Sequence, residues 1–222
     1  KNLKAVALQI NSPGGSPVQS EMISKRIREL SEKKNIPVLA FVEDVAASGG
    51  YWLACSADEI FASKASIVGS IGVVSSGFGF DKAIQKLGVE RRLYTSGDNK
   101  AILDPFLPEN NDDVKRLKSI QKELHNQFIS FVKSRRGSKI INENKEIFTG
   151  AFWSGEKSLE LGLIDSFGEM KKILKDRFGE NVKIKEFAPK KKLFGFGSLL
   201  SGALDILFHK IEERSSFKNF GL

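Results

Sequence analysis

At 222 residues, 41% of them hydrophobic and 28% charged, the chain has ordinary globular composition and is long enough to bury a sizeable core. Its formal charge of +8 is spread along the chain, with no basic run interleaved with stacking aromatics, so a solvated basic surface is expected and nucleic acid is not an expected partner. One cysteine, Cys55 in the apolar run YWLACSA, excludes an internal disulfide and any multi-cysteine metal site. No metal or other cofactor is expected.

The chain opens on KNLKAVALQI, with neither a methionine nor a leader, and reads as a piece of a longer protein trimmed upstream. Ala5 to Ile10 is a short apolar strand pattern, and Asn11 to Ser16 (NSPGGS) is a dense turn signal. A helical pattern follows, with Val18, Met22, Ile23, Ile27 and Leu30 expected on its buried face, and Pro37 closes it. Val38 to Val42 is a second strand. Strand, glycine-rich loop, helix and strand make a βαβ crossover, hence parallel strands covered by helices. Glu43 to Gly50 (EDVAASGG) reads as the next loop, and YWLACSA as a short buried helix.

Short strands are expected at Glu59 to Ser63 and Ser66 to Val74, a helix at Asp81 to Leu87, and a strand at Val89 to Tyr94. A polar loop, Thr95 to Asn99, leads to Lys100. Asn110 to Asp113 supplies capping residues for a long amphipathic helix carrying Val114, Leu117, Ile120, Leu124, Phe128, Phe131 and Val132, which Gly137 stops. A short helix is expected at Glu156 to Leu161, a turn at Gly162 to Asp165, a helix at Met170 to Phe178 and a last strand at Val182 to Phe187. The expected plan is one domain over 1–188 and a basic, apolar tail over 189–222. The tail's apolar stretch is too short and too glycine-broken to span a bilayer. It suits a membrane surface, with Lys190 to Lys192 near anionic lipid, or packing on a partner subunit.

Two glycine-rich loops, SPGG at Ser12 to Gly15 and ASGG at Ala47 to Gly50, follow successive core strands. In a parallel sheet such loops emerge at one edge, where ligands bind. Ser48, followed by two glycines and a helix, would present its hydroxyl beside the Gly49 amide, and Gly14 or Gly15 could supply a second donor for a developing oxyanion. Neither the P-loop pattern nor G-x-G-x-x-G occurs. Of the two histidines, His125 is placed on the polar side of the long helix and His209 in the tail, which disfavours a Ser–His–Asp triad. A lysine can serve as base where burial keeps its amine neutral.

In order along the chain, NSPGG, DVAASGGYWLA, GSIGV and TSGDNKAILDPF resemble the signal peptide peptidase A and protease IV group, serine peptidase family S49, which includes the SohB-type peptidases. The resemblance covers most of residues 5 to 170. It implies Ser48 as nucleophile, Lys100 as general base, Ser70 assisting the lysine, and an oxyanion hole from the amides of Gly14 and Gly49. It also implies a ClpP/crotonase-like α/β fold of repeated ββα units, with a parallel core sheet flanked by helices. Further implications are a homo-oligomer enclosing the sites, and cleaved signal peptides as substrates on the periplasmic side of the bacterial inner membrane. Because both motifs occur in one copy, the dyad is expected inside one subunit. Two other readings share parts of this pattern: a crotonase-like acyl-CoA enzyme, and an inactive oligomeric scaffold that binds peptides.

Overall fold

The computed structural model describes residues 3–140, 145–187, 217, 218 and 220. Strand β1 (Val6–Ser12) runs parallel to β2 (Val38–Ala47), the longest strand. Leu39 to Phe41 of β2 pair with β1 on one edge and with β3 (Glu59–Ala62) on the other. Further along that second edge, Val45 to Ala47 pair in parallel with β4 (Ile67–Gly69). An antiparallel strand β5 (Phe152–Ser154) extends the sheet beyond β4, and β6 (Ser166–Phe167) extends it in parallel beyond β3. The expected parallel core sheet with flanking helices is therefore present, with one antiparallel edge.

Strand β2 organises the interior because it is apolar on both faces, as a central parallel strand must be. Its side chains alternate between two layers. Val38, Ala40, Val42 and Ala46 join the cluster under helices α2 (Gly49–Ala54) and α4 (Asn111–Arg136). Leu39 and Phe41 join Phe61 and Leu174, the latter on α6 (Met170–Phe178). Glu43 and Asp44 are the exposed exceptions. The expected loop from Glu43 is thus still strand as far as Ala47, because the acidic pair interrupts the pattern without ending the ladder.

Helix α1 (Pro17–Lys34) starts at Ser16, whose hydroxyl caps the Gln19 amide, and ends at Asn35 in the left-handed region. Its buried face differs from expectation. Val18, Met22, Ile23 and Leu30 are exposed, while Ser20, Ser24 and Ser31 are buried. The reason is close packing on α2. A methyl group on Gly49 would stand 2.6 Å from Ser20 Oγ, so only small side chains fit between the helices.

Helix α3 (Asp81–Lys86) forms as expected, and α5 (Gly155–Glu160) and α6 lie where the pattern placed them. Two expected strands are irregular instead. At 89–94 the Val89 N–H donates to the Ile84 carbonyl at 2.9 Å and Arg91 pairs with Asp104, so the segment closes on itself. At 182–187 Val182 turns back to the Gly179 carbonyl, and the stretch has no ladder partner. The strand expected over Ser66 to Val74 is cut to Ile67–Gly69, because Ser70 turns to φ +53°.

On α4, Phe128 and Val132 are buried but Ile120 is half exposed, so only its C-terminal half embeds. Trp52 of α2 stacks on Phe128 and Phe131 at 4.6 and 5.5 Å. Arg136 anchors the helix end: it donates twice to the Gly162 carbonyl and pairs with Asp165 at 2.7 Å. Burial alone would raise the Asp165 carboxyl, but hydrogen bonds from Arg136 and Lys139 hold it below the usual range. The tail lies outside the described residues except at Phe217, Lys218 and Phe220.

Candidate active site

The chain passes from β2 into α2 at Ser48, with φ +51° and ψ −121°. A non-glycine residue adopts this region only when its surroundings impose it, at about 1–3 kcal/mol. Three contacts impose it here. The Ser48 N–H donates to the Gly69 carbonyl at 2.9 Å, its carbonyl accepts from the Trp52 N–H at 3.0 Å, and the SPGG loop closes over it. A methyl group on Gly14 would stand 2.9 Å from Ser48 Cβ and 3.3 Å from its Oγ. One on Gly50 would stand 2.6 Å from the Ser12 carbonyl oxygen. The two glycine-rich loops are in contact at one sheet edge because the glycines let two backbones meet.

The Gly49 amide precedes the first hydrogen bond of α2, from Trp52 to Ser48, as an oxyanion donor should. Gly14 has φ +134°, and its N–H donates at 3.3 Å to Ser12 Oγ, a long bond that an oxyanion would have to replace. The nitrogen of Gly15 lies 3.1 Å from the site a Gly49 methyl would occupy, so the amide backbone of both loop glycines is close by.

Ser70 is one residue past β4, in the left-handed region at φ +53°, with its N–H donating to the Ala151 carbonyl at 2.7 Å. Because Ala47 pairs with Gly69, Ser48 and Ser70 follow paired residues at the ends of neighbouring strands. His125 comes to the same place. It is not on a free polar face but half-buried, with Nε2 3.0 Å from the Ile71 carbonyl, one residue beyond Ser70. A histidine among polar residues of a helix gives no sequence signal of such a contact.

Lys100 is different. It sits exposed in a turn whose backbone closes from Lys100 N–H to the Gly97 carbonyl at 3.2 Å. Neither its ammonium nor the Ser48 hydroxyl has a hydrogen-bond partner among the described residues. The dyad expected inside one subunit is thus not joined by a hydrogen bond. The cause is the route of the chain, which leaves the sheet after Ser70 and folds on contacts of its own. Phe80 N–H donates to the Pro105 carbonyl at 2.6 Å, Phe80 stacks on Phe106 at 5.7 Å, and Arg91 pairs with Asp104 at 2.8 Å.

Cys55, which caps the C-terminal end of α2, is chemically quiet. Burial pushes its thiol up to about 12, which strongly favours the unreactive thiol form at neutral pH. A half-buried serine hydroxyl beside main-chain amides is suited to addition to a carbonyl, with the new negative charge held by those amides.

The model of peptidase family S49 matches residues 31–184. A Brucella abortus protein named Na(+)/H(+) antiporter NhaA is 52% identical over 195 residues, covering 88% of this chain and 26% of that protein. Serine protease SPPA, chloroplastic, of Arabidopsis thaliana is 31% identical over 178 residues, covering 78% of this chain and 25% of that protein. The chain thus spans about a quarter of the length of either relative. Among the described residues no helix is long and apolar enough to cross a membrane. A solved structure of a lysine-to-alanine mutant of 1510-N, a membrane-bound stomatin-specific protease in complex with a substrate peptide, shares the fold. Its TM-score is 0.51 at 19% identity, over 86% of this chain and 80% of that one.

Proposed function

The chain belongs to peptidase family S49, and from that premise we propose that it is a serine endopeptidase with Ser48 as nucleophile and Lys100 as general base. The observation that carries the reading is the backbone of Ser48, held at φ +51° with Gly14 against its side chain. Non-glycine backbone held in a sparsely populated region clusters at active sites, which supports this role for Ser48. Ser48 Oγ attacks the peptide carbonyl while Lys100, as the amine, takes its proton. The oxyanion is met by the amides of Gly49 and Gly14. Lys100 then protonates the leaving amine, and water releases the acyl-enzyme by the reverse sequence. Ser70 assists by hydrogen bonding to the lysine.

The proposed substrates are cleaved signal peptides and other short apolar peptides, met at the bacterial inner membrane on its periplasmic side. The proposed assembly is a homo-oligomer. Val74, Phe78, Leu87 and Tyr94 are each more than three-quarters exposed on the segment that carries Lys100, an apolar surface that supports a partner there. An amine base also needs apolar surroundings, which bound peptide or a neighbouring copy would provide. The tail over 189–222 is proposed to hold the particle at the membrane surface. A chain ending at Pro189 should then bind anionic liposomes more weakly than the full chain, and equal binding removes that role.

The test of the reaction is hydrolysis of a fluorogenic apolar peptide by the parent, Ser48→Ala and Lys100→Ala, with folding checked by circular dichroism. Loss in both variants is expected. Activity surviving in either variant takes that residue out of its role.

A further inference from the structure

The two strands that lead into the site are out of step with each other. Ile10 pairs with Val42 and Ser12 with Ala46, so Asn11 alone faces Glu43, Asp44 and Val45. A bulge of this size leaves strand amides without a backbone partner. The Asn11 side chain fills the gap. Its Oδ1 accepts the Val45 N–H at 3.2 Å, and its Nδ2 donates to Asp44 Oδ2 at 2.9 Å. Gln9 makes the matching side-chain bond to Glu43 on the same pair of strands.

From here to the nucleophile every link is a contact. Beyond the bulge Ser12 is back in register opposite Ala46, two residues before Ser48. The Ser12 hydroxyl bridges to both the N–H and the carbonyl of Gly14, each at 3.3 Å. Gly14 lies against Ser48, and the Ser12 carbonyl lies against Gly50. We infer that the Asn11–Asp44 pair is a positioning device that sets the height of the SPGG loop over Ser48, and through it the place of the oxyanion donors. Neither residue touches the reacting atoms. A slip of one residue would move the loop by about 3.3 Å, and misplacement by about 1 Å can already cost about 10²-fold in rate. Both side chains are exposed, so the pair has little to contribute to the core.

The inference rests on the serine-peptidase reading, and the experiment separates the two. In the full chain, Asn11→Asp sets two carboxylates against each other. The double variant Asn11→Asp/Asp44→Asn restores the pair with donor and acceptor exchanged, while the Val45 N–H keeps an acceptor. Peptide hydrolysis and the rate of Ser48 labelling by a fluorophosphonate are measured for each, with thermal unfolding alongside.

We expect Asn11→Asp to lower kcat and labelling by about tenfold to a hundredfold with KM within about twofold, since only transition-state contacts are displaced. The double variant should recover most of both rates at an unchanged melting temperature. Parent-like kcat in Asn11→Asp, or a double variant no better than the single one, overturns the inference while leaving the reaction in place. A parent that is neither active nor labelled at Ser48 removes the reading and the inference with it.

Discussion

The glycine-rich edge and the segment from Gly72 to Glu109 carry the two halves of the proposed dyad, and they are built in opposite ways. Ser48 is fixed by three strands, by α2 stacked on α4, and by a loop too close for any side chain but hydrogen. Lys100 rides on a segment stabilised by a small aromatic group, Phe78, Phe80 and Phe106, with Arg91 lying over the Phe106 ring. Strained backbone such as that of Ser48 persists only where its surroundings over-determine it. A proton acceptor at the end of a long side chain needs no such strain, so a turn held by local contacts is compatible with its proposed task.

The sharpest way to break this comparison is to disable each half and read activity and stability together. Gly14→Ala and Lys100→Ala should both lower kcat, Gly14→Ala by about 10²–10³-fold as for a lost oxyanion donor. They should part company in stability. Lys100→Ala, at an exposed turn, should stay within about 0.5 kcal/mol of the parent, whereas Gly14→Ala should be measurably destabilised by its φ of +134° and the contact with Ser48. A Lys100→Ala chain with a markedly lower melting temperature would show that the lysine is part of the frame.

The frame itself is tested at Arg136. Arg136→Met leaves Asp165 and the Gly162 carbonyl without their buried partner and should cost about 3–5 kcal/mol in urea unfolding. Replacing Gly162 should be at least as damaging, because a methyl there would fall 1.7 Å from the Lys139 carbonyl oxygen.

A smaller effect is expected from acid. The folded Asp165 carboxyl is held below its ordinary value, so its contribution is complete above the unfolded value of about 3.9 and is lost as pH falls from there through the folded value. Unfolding free energy should therefore decline below about pH 4, and Asp165→Asn should flatten that decline. The smallest effect belongs to the satellite segment. Phe80→Ala should remove about 0.5–1.5 kcal/mol of aromatic contact. It should speed hydrogen exchange over 81–107 while leaving β2 protected. Equal acceleration in β2 would mean that the two regions unfold as one.

Much of the site's backbone was legible in the residues themselves. Two glycine-rich turns after successive strands implied a shared edge, and the loops do meet at Gly14, Ser48 and Gly49. The helix starts were equally plain, since Ser16 and Asn110 cap as their types predict. Less was visible wherever partners are distant in sequence. Glu43 and Asp44 looked like the start of a loop because their amide partners, Gln9 and Asn11, lie 34 and 33 positions away. The apolar stripe of α1 pointed to a buried face, but the closeness of Gly49 selected the serine face instead. Val89 to Tyr94 has strand-forming residues but pairs with no strand among the described residues, and β-propensity has little effect without such a partner.

What the sequence determined by itself is local: turns, caps, alternation along β2 and a serine set between a strand and two glycines. These depend on torsional preference and on hydrophobic spacing over a few residues. The tertiary structure decided the rest, namely which face of α1 is buried, where His125 finds its carbonyl, how Asn11 closes the bulge, and that Lys100 lies in an exposed turn with no hydrogen bond to Ser48. Each depends on which surfaces meet across many residues of chain, and close packing and hydrogen-bond geometry select among arrangements that a local pattern leaves equal.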